Sequence, residues 1–231
     1  ALRRIREYGM EGEAITFPED VSDNVFQRAF NAVNEDKSVD GILLMRPLPP
    51  QLNEGFIISC IDSEKDVDGA SPVNAAGLYF GSDCFAPCTA QAVIELLKYY
   101  HIELSGKEVV ILGRSSVVGK PLSMLLLSED ATVTVCHSKT RDLQKITKRA
   151  DILISAIGRP RFITSDYIKR SAIVIDVGIN TDKDGRLCGD VDYDDCSLKA
   201  SAMTPVPGGI GPVTTAVLAK HVFEAANRDL L

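Results

Sequence analysis

The chain has 231 residues, 45% of them hydrophobic and 25% charged, which is enough apolar side chain for one large α/β domain or two compact ones. Its 25 Lys and Arg against 32 Asp and Glu leave a formal charge of −7. That balance argues against nucleic acid as a partner, because phosphate backbones recruit basic surfaces. No apolar run reaches the roughly 18–20 residues that span a bilayer, so no membrane partner is expected either. The six cysteines, at 60, 84, 88, 136, 188 and 196, form no CxxC and have no histidines at zinc spacing. They are expected as reduced, mostly packed thiols with no metal site, in the cytoplasm or in an organelle. The chain opens Ala1-Leu-Arg-Arg rather than with Met, so residues before Ala1 are expected.

Short β-branched runs alternate with helical stretches, the pattern of a parallel-sheet α/β protein. Residues 22–34 read as an amphipathic helix capped by Ser22, with Val25, Phe26, Phe30 and Val33 on one face. Residues 39–44 read as a strand that Pro47-Leu-Pro-Pro50 stops. Residues 88–100 read as a helix capped by Thr89, with Ala92, Val93, Leu96, Leu97 and Tyr100 as its stripe. A denser βαβ series follows: strand 107–112, helix 121–127, strand 132–136, helix 142–149, then strands 151–157 and 172–177. Asp184-Gly185 marks a turn, and residues 214–227 read as a helix with Val217, Leu218, His221 and Val222 along one side. The two strong helices bracket the βαβ block, so two domains with a cleft between them are expected.

The stretch Val109-Val-Ile-Leu-Gly113-Arg-Ser-Ser-Val-Val-Gly119-Lys-Pro121 is strand, glycine turn and helix start. A Rossmann unit seats a pyrophosphate at such a turn, because helix amides and bare backbone favour an anion. The spacing differs from G-x-G-x-x-G, so an ordinary βα turn stays open as an alternative. An NAD site places Asp or Glu at the end of the second strand for the ribose hydroxyls. Here that strand ends Val135-Cys136-His137-Ser138-Lys139-Thr140, without a carboxylate. Arg114, with the hydroxyl and basic donors of that second turn, suits a 2′-phosphate, so NADP is the expected cofactor. For His137 a plain packed or surface role stays open.

Lys65-Asp66-Val67-Asp68-Gly69 precedes Ser71-Pro72-Val73-Asn74. Its alternate carboxylates can simply turn or cap the chain; alternatively Asp68 accepts from the donor edge of a heterocycle. Thr204-Pro-Val-Pro-Gly-Gly-Ile-Gly-Pro212 carries three prolines and three glycines in nine residues. It is rigid and nearly bare of side chains, so it can lie flat against a ligand face.

Further segments occur in order along the chain: Asp40-Gly-Ile-Leu with Pro47-Leu-Pro49, Pro87-Cys-Thr89, Thr132-Val-Thr, Asp176-Val-Gly-Ile-Asn180 and Gly189-Asp-Val191. Together with the Lys65–Gly69, Gly113–Pro121, His137–Thr140 and Thr204–Pro212 motifs, they resemble the methylenetetrahydrofolate dehydrogenase/methenyltetrahydrofolate cyclohydrolase family over essentially the whole chain. The resemblance implies a smaller α/β folate-binding domain built from both chain ends, 1–92 and 207–231, around a Rossmann-like NADP-binding domain, 93–206. It implies that Asp68 holds the pterin as the candidate catalytic residue and that Pro207, Gly208 and Gly209 line the folate site. Gly113, Arg114, Ser115, His137 and Ser138 would serve NADP, with Ile179 and Thr214 near its nicotinamide end. A cytoplasmic homodimer with a folate substrate is implied as well.

The family's cyclohydrolase lysine closes a Tyr-Val-x-x-Lys motif that counts back from Gly9 to Ala1 or just before it. The family's strand motif usually reads Gly-Ile-Leu-Val-Gln-Leu-Pro-Leu-Pro; here it is Gly41-Ile-Leu-Leu-Met45-Arg46-Pro47-Leu-Pro49. Met45 thus stands where a glutamine partners that lysine, and a thioether is a weak acceptor with no donor, so slow methenyl hydrolysis is expected. Two other readings stay open: another small-substrate NADP dehydrogenase, of the shikimate type, and a catalytically silent NADP-binding subunit. Asp68 and the Pro-Gly-Gly loop favour the folate enzyme over the first of these.

Overall fold

The computed structural model describes residues 2–228. The chain forms two compact units, one made of the stretch up to Cys88 with the stretch from Thr215 onward, the other of Thr89–Thr214.

The first unit holds α1 (Leu2–Glu7), α2 (Asp23–Glu35), α3 (Glu54–Ser59) and α4 (Pro72–Phe80). Helix α2 turns Phe26 and Phe30 inward, against Val21, Ile42, Leu52, Ile57 and Ile61. Val25, expected on the same face, is 46% exposed, since one residue along a helix is a turn of about 100°. Ser22 occupies the N-cap position of α2, but its side chain makes no capping hydrogen bond. The strand expected at 39–44 is reduced to one parallel bridge between Ile42 and Asp66, closed by the Ile42 N–H donating to the Lys65 carbonyl at 2.6 Å. An apolar run becomes a strand only where a second backbone extends the ladder, and among the described residues none does so here.

The second unit opens with α5 (Cys88–Tyr99), whose first residue belongs to the first unit. Thr89 lies inside this helix and not at its cap. Ala92, Val93 and Leu97 are fully buried, whereas Tyr100 lies beyond the last turn and is exposed. There follow β1 (Glu108–Leu112), α6 (Gly119–Ser128), β2 (Thr132–Cys136), α7 (Leu143–Thr147), β3 (Ile152–Ser155), β4 (Ile173–Asp176), β5 (Asn180–Thr181), β6 (Leu187–Cys188), α8 (Tyr193–Ser197), β7 (Ala202–Met203) and α9 (Ile210–Ala226). Five strands make one all-parallel sheet in the order β2-β1-β3-β4-β7. Strands β1, β3 and β4 are buried along nearly their whole length, as continuous apolar runs in a two-sided sheet must be. The edge strand β2 instead alternates exposed and half-buried residues until Cys136. Val110, Leu112, Leu153, Ile163, Ile168, Val174 and Cys196 share one core cluster beside the sheet. The Asp184-Gly185 turn joins β5 to β6, with the Asp182 N–H donating to the Arg186 carbonyl at 2.8 Å.

Helix α9 begins four residues before the expected position, because Pro212 sits in its first turn, where a missing N–H costs nothing. The Pro/Gly-rich stretch therefore leads into a helix, and the division of the chain falls after Thr214, later than the 206/207 boundary that the resemblance implies. At the other division the break follows Cys88 instead of residue 92. No helix among the described residues is long and apolar enough to cross a membrane.

Candidate active site

Strand order reverses at β1, with β2 on one side and β3 on the other, and the carboxyl ends at such a switch point are where open parallel sheets bind ligands. The Gly113 N–H donates to the Cys136 carbonyl at 2.9 Å, and the Ala156 N–H donates to the Leu112 carbonyl at 2.8 Å. The turn after β1 is thereby drawn in between the ends of β2 and β3. Gly113 has φ +116°, and a Cβ there would strike the Ala156 carbonyl oxygen; a Cβ on Gly119 would strike the carbonyl of Gly113. Only glycine leaves the space open for bare backbone to approach a phosphate. The Ser115 hydroxyl accepts from the Val118 N–H at 3.1 Å, and its carbonyl accepts from the Lys120 N–H at 3.0 Å, which fixes the entry to α6. Arg114 and Ser115 are exposed.

Beside this turn, at the end of β2, the His137 N–H donates to the Thr140 hydroxyl at 2.8 Å and the Lys139 N–H donates to Nδ1 of His137 at 3.2 Å. Nδ1 thus accepts, and the proton of the neutral ring resides on Nε2. Ser138 and Lys139 stand exposed on this turn, and residues 137–140 contain no carboxylate. A cradle that a Cβ would fill, flanked by exposed guanidinium, ammonium and hydroxyl donors, fits a phosphorylated dinucleotide. Ile179 follows β4 and is 69% exposed. The Thr214 hydroxyl is engaged within α9, donating to the Ile210 carbonyl at 3.1 Å.

Two buried carboxylates support these loops from below. Asp190 accepts from the Ser155 hydroxyl at 3.0 Å, the Ile157 N–H at 2.7 Å, the Arg159 N–H at 2.9 Å and the Asn180 amide at 2.9 Å. Asp176 accepts from the N–H groups of Gly178, Asp190 and Val191 at 2.9, 3.0 and 2.8 Å. Burial, with a smaller push from the Asp190 charge, raises the Asp176 carboxyl to about 6, although its three backbone donors pull the other way. Both residues belong to motifs in the sequence, but this supporting role rests on partners 14 and 35 positions away and leaves no local signal.

In the first unit the alternate carboxylates divide their roles. Asp66 is buried and accepts from the Ala70 N–H at 3.0 Å, the Ser71 N–H at 2.7 Å and the Asn74 amide at 2.9 Å; it holds the turn into α4. Asp68 points the other way and is half-buried. Its Oδ2 lies 3.4 Å from Nη2 of Arg46, and its Oδ1 lies 3.4 Å from the Cys88 N–H. No local sequence signal marks Arg46, because its partner lies 22 positions away.

Behind Asp68, the Cys88 thiol and the ring of His221 meet at 3.6 Å, and both engage the Val67 carbonyl, at 3.2 and 2.9 Å. The pair looks like a nucleophile and its base, but the electrostatics oppose it. Burial and then the Asp68 charge push the thiol far above its ordinary range, and burial pushes the imidazole down. A neutral thiol beside a neutral imidazole is a packed structural pair, not a nucleophilic dyad.

Pro207, Gly208 and Gly209 lie in the second unit, between β7 and α9, with Pro207 and Gly208 exposed. Met45 is 74% exposed. The lysine position counted back from Gly9 lies outside the described residues.

Comparison with known proteins gives two family matches. Residues 1–68 match the catalytic domain of the tetrahydrofolate dehydrogenase/cyclohydrolase family, and residues 87–230 match its NAD(P)-binding domain. A relative from Alkaliphilus oremlandii, named bifunctional protein FolD, is 53% identical over 226 residues, covering 97% of this chain and 79% of the relative. The bifunctional FolD methylenetetrahydrofolate dehydrogenase/cyclohydrolase of Campylobacter jejuni superposes with a TM-score of 0.95 at 43% identity, over 98% of this chain and 81% of that one. The corresponding Trypanosoma brucei structure, described as complexed with NADP cofactor and an inhibitor, gives a TM-score of 0.92 at 37% identity, over 99% and 82%.

Proposed function

The chain belongs to the tetrahydrofolate dehydrogenase/cyclohydrolase family, and on that premise we propose that it oxidises 5,10-methylenetetrahydrofolate with NADP⁺ and hydrolyses the methenyl product. One observation carries the reading furthest: at the switch point, a glycine cradle that excludes any Cβ adjoins a strand end bearing donors and no carboxylate. A carboxylate there would repel a 2′-phosphate, whereas Arg114, Ser115, His137 and Ser138 attract it. The trypanosomal structure described with NADP supports the same choice.

When bound, NADP⁺ supplies the hydride acceptor. The substrate's own nitrogens stabilise the carbocation left behind, so the chain's residues need supply no acid or base for this step. Their work is binding and orientation. Asp68 accepts from the donor edge of the pterin, Pro207, Gly208 and Gly209 offer bare backbone to a flat ring, and Ile179 and Thr214 serve the nicotinamide end. The same reading makes the enzyme a cytoplasmic homodimer, in keeping with six cysteines that are all free thiols.

Relatives named bifunctional support the hydrolytic activity alongside the oxidative one; what Met45 bears on is its rate. Hydrolysis needs a proton moved as water adds to the methenyl carbon, and a thioether cannot hold an amine or a water as an amide does. Both rates, measured on one preparation, test this: NADPH formation from methylenetetrahydrofolate should be fast, and loss of methenyl absorbance slow. Met45→Gln should raise hydrolysis by roughly tenfold, the worth of one good hydrogen bond, and leave NADPH formation within about twofold. No NADPH formation would contradict the oxidative reading, and hydrolysis as fast as oxidation in the parent chain would contradict the role given to Met45.

A further inference from the structure

We propose that Arg46 is a second recognition residue for the pteridine ring, reading its 4-oxo group beside the ring N–H that Asp68 accepts. The inference rests on the assignment of Asp68 to the pterin.

Arg46 and Asp68 are each withdrawn from water, with side chains 18% and 22% exposed, yet they are poorly satisfied. Their one contact, at 3.4 Å, is near the outer limit of a hydrogen bond, and so is the contact of the Cys88 N–H with the other carboxylate oxygen. A guanidinium carries five N–H donors, and among the described residues Asp68 is the only recorded partner of Arg46. A half-buried ion pair left this loose is costly until further polar partners complete it.

The completing ligand must offer an acceptor next to a donor, so that the guanidinium and the carboxylate are each matched. The amide edge of a 4-oxo pteridine has that order: O4 accepts, then N3–H and the 2-amino group donate. A 4-amino pteridine reverses it, setting an amino donor against the guanidinium and an unprotonated N3 against the carboxylate. Sites built to hydrogen-bond one pattern reject its inversion strongly, because buried groups are left unpaired. The leucine of the family's usual motif has no side-chain donor, so the guanidinium of Arg46 adds to the discrimination that Asp68 makes at N3.

Tetrahydrofolate and its 4-amino counterpart, tetrahydroaminopterin, titrated anaerobically by calorimetry, test the assignment, with NADP⁺ titrated in parallel. The parent chain should bind the 4-oxo ligand at least ~10-fold more tightly than the 4-amino one. Arg46→Leu should weaken the 4-oxo ligand by ~10-fold or more and the 4-amino ligand by less than ~3-fold, with NADP⁺ binding unchanged. Arg46→Met, which keeps the length of the stem, is read in the same way should the leucine variant fail to bind NADP⁺. Equal losses for both ligands would reduce Arg46 to a structural partner of Asp68 and overturn the inference, as would an unaltered ratio. A parent chain that binds NADP⁺ and neither pteridine would overturn the folate reading itself, and the inference with it.

Discussion

Asp176 and Asp190 are buried carboxylates with no ion-pair partner among the described residues, Asp176 satisfied by backbone donors and Asp190 by backbone and neutral side-chain donors. Because Asp176 is raised from 3.8 to about 6, the folded chain holds a proton that the unfolded chain gives up between those values. Its contribution to stability is fully present below its ordinary pKa and is lost as pH rises through about 6, on the order of 3 kcal/mol. Asp176→Asn removes that titration. The stability of the parent chain relative to this variant, from urea unfolding, should therefore shrink by about that amount between pH 4 and pH 7; a difference that stays constant would remove the buried proton from the account. The sequence quotes both residues inside motifs, but their pairing crosses 14 positions, and that of Asp190 with Ser155 crosses 35, so no local pattern reveals it. The same limit applies to Asp66 and Asp68. Their spacing in a turn fixes neither one's facing, and only the fold shows that Asp66 turns inward while Asp68 stays half-buried.

Among elements, the turn from β1 into α6 makes the strongest demand on its sequence. Gly113→Ala would adopt a φ that L residues rarely take and press its methyl against the Ala156 carbonyl. The variant should lose about 2 kcal/mol or more, visible as a Tm lower by several degrees, and NADP⁺ should bind at least ~10-fold more weakly. Unchanged Tm and unchanged affinity would show that the turn has room and that its glycine is incidental. Elements with a long apolar run or a firm helical stripe, such as β1, β3, β4, α2 and α5, are legible in the sequence because burial itself writes the pattern. Two-residue strands such as β7 are invisible, being defined by the neighbour they pair with. The apolar run at 39–44 shows the converse, with a strand-like composition and a single bridge in the structure.

At the scale of the molecule, the proposed chemistry draws on both units: the second carries the phosphate cradle at the carboxyl ends of its parallel sheet and the Pro207–Gly209 backbone, and the first carries Asp68 with Arg46 beside it. The family and the cofactor class are legible from motifs spread along the chain, because glycines and charges at strand ends are dictated by ligand chemistry. The finer recognition of the ring is not, because Arg46 gains its meaning only through Asp68. The central claim is that hydrogen passes directly from the one-carbon bridge of the folate to the nicotinamide, with no exchange into solvent. Methylenetetrahydrofolate deuterated at the bridge, turned over with NADP⁺ and analysed by mass spectrometry, measures this most directly. The account predicts one deuterium in each NADPH formed; unlabelled NADPH with the label recovered in water would contradict it.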